Sequence, residues 1–144
     1  MTPFTQNNRI HTQTLSVTTT AVQSSPVFDM TGFESAIAVA GQSATDAQSS
    51  GGLKWSVGSA SDSLSQTTGI VTPQNASGMA LELFRPRARF ARADFLTTVT
   101  STGALVNPFL TVILAGNKNQ PTTNSTANLE SKILYSPGTG TATG

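Results

Sequence analysis

The apolar residues of this chain recur at a spacing of two, in short runs bounded by Gly, Pro, Asn and Ser. Met79, Leu81 and Leu83 stand opposite Ala80, Glu82 and Phe84, and Leu53, Trp55 and Val57 stand opposite Lys54 and Ser56. In an extended chain residues i and i+2 share a face, so each run predicts a strand with one wet side. Residues 10–22 read the same way, with Leu15, Val17, Thr19 and Ala21 on one side and Ser16, Thr18 and Thr20 on the other. Two runs are apolar on both faces, 33–40 (FESAIAVA) and 109–115 (FLTVILA), and predict central strands covered on both sides. In the first, the Ile and Val content and the stop at Gly41 favour strand over helix. Ile70 and Val71 predict a short edge strand ended by Pro73, and residues 75–78 a turn.

About seven short strands with turn signals between them predict an all-β domain: a small β-sandwich or β-barrel, jelly-roll-like. Its expected extent is residues 10–116, with an extended N-terminal arm at 1–9 and an extended tail at 117–144 that holds one apolar patch, Ile133, Leu134 and Tyr135. Only 37% of residues are hydrophobic and 10% charged, so the core must be built economically. A net charge of +1 lacks the self-repulsion that usually accompanies disorder.

Most familiar chemistries have no carrier here. With no cysteine, disulfides, zinc–thiolate sites and cysteine nucleophiles are excluded. His11 is the sole histidine, and it is read as a solvated or strand-edge residue rather than a base. The acids are scattered, and no calcium loop, H-E-x-x-H or phosphate-binding loop is present. No catalytic, metal or cofactor residues are therefore expected. Asn75-Ala-Ser and Asn124-Ser-Thr fit a glycosylation pattern that a chain this rich in Ser and Thr meets by chance. No apolar run approaches the roughly 18 residues of a membrane span, and the first residues lack a signal-peptide pattern. The expectation is a soluble protein made in the cytoplasm, without membrane partners.

One stretch stands apart. Residues 81–99 (LELFRPRARFARADFLTTV) hold four of the five arginines and three of the seven phenylalanines. They read as a strand, a proline-marked break and a second strand. Arg85, Arg87 and Arg89 are in phase to project from one side, while Arg92 falls on the face of Phe90 and Asp94. Three readings compete. Arginines and aromatics grip phosphates and bases, but a near-neutral chain gives too small an electrostatic footprint for nucleic acid. A solvated edge that blocks aggregation, with pairs to Glu82 and Asp94, stands level with a subunit interface, where arginine and aromatic side chains are enriched.

The segments FDMTGFESAIAVA (28–40), LELFRPRARFARADF (81–95) and the apolar run 109–115 together resemble small proteins of tailed bacteriophages, the head decoration or cement proteins. Arg85, Pro86, Arg89, Phe90 and Arg92 match one pattern of that group, and Asp29, Gly32 and Phe33 another. The resemblance implies a β-rich, non-enzymatic virion protein on the outer surface of a phage head. It would cement neighbouring capsomers as a homotrimer, with the major capsid protein and itself as partners. Arg85, Arg87, Arg89, Phe90 and Arg92 would then serve the subunit or capsid interface. A head–tail junction or tail ring-forming protein is the alternative, and copy number per particle separates the two. A carbohydrate-binding module would need more exposed aromatics than one Trp and one Tyr provide.

Overall fold

The structure, a computed structural model, describes residues 4–16, 18, 20–45, 49–74 and 76–116, with 5–6, 43–44, 68–74 and 76–77 described by backbone alone. After one helical turn, α1 (Phe4–Asn7), it is built of strands: β1 (Arg9–Thr14), β2 (Ala21–Ser24), β3 (Phe28–Asp29), β4 (Ser35–Ala44), β5 (Ser50–Gly58), β6 (Gln66–Gln74), β7 (Ala76–Phe84), β8 (Phe90–Thr98) and β9 (Leu105–Ala115). They form two antiparallel sheets. Sheet A has the order β1-β9-β4-β7, and sheet B has β2-β8-β5-β6 with the two-residue β3 also on β8. The chain changes sheet at nearly every connection, and the eight longer strands take the order of a jelly roll. The expected all-β sandwich is thus the fold.

The core lies between the sheets and follows the alternation of the sequence. Sheet A contributes Ala36, Ala38 and Ala40 from β4, Leu110, Val112 and Leu114 from β9, and Met79 from β7; sheet B contributes Leu53, Trp55 and Val57 from β5, Ala91, Ala93 and Phe95 from β8, and Phe28 from β3. Alanines on the facing strands leave volume that the large rings occupy. The indole Nε1–H of Trp55 crosses the sandwich to the carbonyl oxygen of Leu81 on β7, at 2.9 Å. Trp55 therefore ties the sheets together by packing and by a hydrogen bond, as a buried tryptophan usually must.

Several local expectations are corrected. Residues 10–22 do not make one strand: β1 ends at Thr14 in sheet A, Leu15 drops into the core, and β2 begins at Ala21 in sheet B. Alternation cannot reveal a strand that leaves one sheet and continues in the other. The turn expected at 75–78 is strand from residue 76, with Asn75 outside the described residues. The short edge strand around Ile70 runs from Gln66 to Gln74, straight through Pro73. Pro73 is tolerated because β6 pairs with β5 alone and because the register shifts beside it, between Gly51 and Leu53. Pro108 is likewise absorbed within β9. The pairing with β4 slips between Gly41 and Ser43, leaving Asn107 and Pro108 in a bulge, and Asn107 takes a positive φ of 47°. At the amino end, β1 already begins at Arg9, and the Asn8 side chain holds both termini of sheet A, donating to the Phe4 carbonyl at 2.9 Å and accepting from the Gly116 N–H at 3.3 Å.

Replacing Trp55 with Phe keeps an aromatic ring but removes the donor to the Leu81 carbonyl and part of the packing. The expected loss is about 2 kcal/mol, read from the midpoint of urea unfolding. Gly58→Ala should also destabilise, since a Cβ there would run into the Ser63 carbonyl oxygen of the following turn.

Candidate functional site

The arginine-rich stretch is a strand, a loop and a strand, as its proline implied. β7 ends at Phe84, residues 85–89 form a loop, and β8 resumes at Phe90. The loop is not extended, so Arg85, Arg87 and Arg89 do not share a strand face. Arg85 adopts a positive φ of 47°, a left-handed conformation that costs a non-glycine residue on the order of 1 kcal/mol. Its N–H donates to the Glu34 carbonyl at 2.9 Å, and its guanidinium lies 3.6 Å from the Glu34 carboxylate. Those contacts offset the strain.

Arg89 is held by the turn that precedes β4. The Asp29 carboxylate accepts the Thr31 N–H at 3.0 Å, Gly32 turns the chain at φ 88°, and the Phe33 N–H returns to the Met30 carbonyl at 3.0 Å. Asp and Gly at those positions are what such a turn requires. Asp29 then accepts from Arg89 Nη2 at 3.0 Å and from Arg89 Nε at 3.3 Å, and the Met30 N–H donates to the Arg89 carbonyl at 2.7 Å. The hydrogen bonds from Arg89 and then from Thr31 hold the Asp29 carboxyl far below the usual carboxylate range, and the same pairing raises the Arg89 guanidinium. The guanidinium groups of Arg85 and Arg89 also lie over the rings of Phe84 and Phe90, each 5.0 Å from the centroid. The segments 28–40 and 81–95, distant in sequence, thus form a single clasp. Phe33, Glu34, Arg85 and Pro86 line an open hollow at its base.

Arg92 has a different role. On the outer face of sheet B it lies beside Asp94, two residues along the same strand. Arg92 Nε donates to Asp94 Oδ1 at 2.7 Å and Nη2 to Oδ2 at 3.3 Å. Ser24 Oγ on β2 donates to Oδ1 at 2.6 Å, and Ser56 Oγ on β5 donates to Oδ2. Asp94 is 1% exposed, so three neighbouring strands meet at one carboxylate. Desolvation pushes its pKa up, but the hydrogen bonds from Arg92, Ser24 and Ser56 outweigh that, and the carboxyl titrates below its ordinary value.

Glu82, expected as an arginine partner, makes no ion pair among the described residues; Asp29 and Glu34 take that place. Asp94 pairs as expected. The D-x-T-G pattern at 29–32 was the available signal for the Asp29 turn, but nothing in a linear reading placed it against Arg89. Three of the four guanidinium groups face carboxylates, so the surplus charge of the loop is the exposed Arg87, which makes no ion pair with a described residue. His11 lies on edge strand β1, bonded through Nε2 to Gln13 Oε1 at 2.7 Å and edge-on to Phe28. Among the described residues no group of acids and histidine is placed to hold a metal ion, and no helix is long and apolar enough to cross a membrane. What the site offers chemically is a rigid, exposed set of guanidinium donors and ring faces, suited to carboxylates and carbonyls of another chain.

Asp94→Asn should cost about 2–3 kcal/mol, because it leaves Arg92 without a charge partner in a half-buried place. The intact carboxylate gives its full stabilisation above the unfolded value of 3.8, and that stabilisation is lost as pH falls through the lower folded-state value. Urea midpoints measured from pH 7 down to about pH 2 should therefore fall more steeply for the unaltered chain than for the variant.

Comparison with protein families, curated proteins and solved structures returns no match for this chain.

Proposed function

We propose that the chain is a structural, non-enzymatic protein of a tailed-phage virion. It binds the outer surface of the head, holds neighbouring capsomers together and contacts the major capsid protein and further copies of itself, as a homotrimer. The observation that carries the reading is the clasp. Two of the three segments on which the resemblance to head decoration proteins rests, 28–40 and 81–95, are joined by Asp29–Arg89 and Glu34–Arg85 and present one exposed surface. The jelly-roll strand order is compatible with it, since viral capsid domains use that architecture, although lectins and other proteins use it too. A cement protein needs no reacting groups. It needs a stiff scaffold and many moderate contacts, whose effects combine when each copy bridges several subunits.

In this reading the residues of the clasp divide by role. Arg85 and Arg89 hold the loop in shape, Arg92 secures β8, and Arg87, together with the Phe90 ring under the Arg89 guanidinium, makes the contact with a neighbour. Arg87→Glu should weaken attachment to purified heads by at least about tenfold, the effect of losing and reversing one charged contact, while leaving the melting temperature unchanged. Unchanged attachment would remove Arg87 from the interface. A protein that binds no phage head in unaltered form would end the reading itself.

A further inference from the structure

The outer face of sheet A is apolar. In register across β1, β9, β4 and β7, four rows point away from the core: Ala115, Ser35 and Phe84; Ile10, Ile113, Ile37 and Glu82; Thr12, Thr111, Val39 and Ala80; Thr14, Phe109, Gly41 and Gly78. No described layer covers them. Phe84 is 59% exposed and Phe109 43%, and the isoleucines and Val39 are partly exposed. Glu82 is the one charged side chain among these rows.

The face is uneven in a particular way. Its most exposed ring, Phe84, stands at one end of β7, and Gly78, with no side chain, at the other, where an added Cβ would meet nothing within 4 Å and the space is open. The neighbouring glycine position is filled, since the Phe109 ring leans over Gly41, with Cε1 2.5 Å from where a Cβ would sit. We infer that two copies of this chain pack these faces together about a two-fold axis that lies between the sheets, perpendicular to the strands. That operation exchanges the first row with the fourth and the second with the third. Phe84 of each copy then enters the opening over Gly78 of the other, and the small Ala115 and Ser35 lie over the Phe109 ring. Ile37 meets Val39, and Glu82 faces Ala80 at the edge of the sheet, where its carboxylate keeps its water. An axis parallel to the strands would instead set Thr14 over Gly78 and leave Phe84 without the opening. Every contact occurs twice, as an isologous pair requires, and twisted sheets pack aligned in this manner about 10 Å apart.

The face measures roughly 20 Å by 20 Å, so the pair covers on the order of 1,000 Å² in total, the low end of specific interfaces. The association is accordingly reversible and concentration-dependent. It concerns a different face from the guanidinium contact of Arg87, the two meeting at Phe84, whose ring carries the Arg85 guanidinium, and it can hold for a chain that binds no phage head.

The test uses the full chain in sedimentation equilibrium over a range of concentrations. At high concentration the unaltered chain should have twice the mass of the Phe84→Asp variant. Gly78→Leu, which the protomer has room for, should also halve the mass by filling the opening. A Gly78→Phe, Phe84→Gly double variant gives a second readout. It exchanges ring and opening, and the same two-fold still sets one over the other, so the doubled mass should return in the double variant and in neither single variant. Equal masses for the unaltered chain and Phe84→Asp at every concentration would overturn the proposal, including the case in which residues 117–144 of the same copy occupy the face. A doubled mass indifferent to Gly78→Leu, or one that the exchanged double variant does not recover, would overturn it as well. Should Phe84→Asp fail to fold, Gly78→Leu and the exchanged double variant decide.

Discussion

The interlock of small and large side chains between the two sheets is the constraint on which this molecule depends. Ala36, Ala38 and Ala40 on β4, and Ala91 and Ala93 on β8, are fully buried. They contribute little apolar area of their own. They matter because strands without bulk leave space for Trp55, Phe28 and Phe95, which supply much of the burial at about 25 cal/mol per Å². A chain with 37% hydrophobic residues has few such side chains to distribute. Concentrating the volume in a few rings, and lining their surroundings with alanine, lets a core close around few large side chains. The hydrogen bond from Trp55 to the Leu81 carbonyl then fixes how the two sheets sit over one another.

Much of this could be read from the sequence, and what could not has a physical cause. The inward sets on β5 and β7 are those the alternation marked, since a strand's side-chain period is local, whereas the runs on β4 and β9, apolar on both faces, marked no inward set. Strand partners are not local, and nothing in the residues 10–22 says that the first half pairs with β9 and the second with β8. Pro73 misled as a strand boundary, and Pro108 lies inside β9 ahead of the apolar run at 109–115, because the bulges that tolerate them are properties of the partner's register. In the arginine stretch the residues were visible and their partners were not. Glu34 lies about fifty residues before Arg85 and Asp29 sixty before Arg89, and only the pairing of β3 with β8 and of β4 with β7 brings them within reach.

Those pairings also alter what the arginines mean. Four guanidinium groups in eight residues suggest a surface with a strong positive field. The fold gives three of them carboxylates, and each pair joins a different set of elements: β7 to the start of β4, the 29–32 turn to β8, and β8 to β2 and β5 through Asp94. An exposed ion pair adds little stability alone. Here the pairs hold a left-handed Arg85 and a compact loop in one shape, so the contribution is to geometry. Arg87, which makes no ion pair with a described residue, is presented on a loop braced by those pairs, which suits recognition by a positioned contact better than capture by long-range attraction.

The same economy bears on sheet A. An antiparallel sheet in a sandwich ordinarily alternates apolar and polar residues so that one face meets water. β4 and β9 depart from this, with Ile37, Val39, Ile113 and Phe109 outward as well as alanines, leucines and valine inward. A folded core gains nothing from the outward set, and the exposed Phe84 would be a liability on a solitary protomer. Both observations become consistent if the outward face is a second core completed by another copy. The low charge of the chain supports this in turn, because a surface depleted in Lys and Glu is what an interface has and what a solvated sheet face lacks.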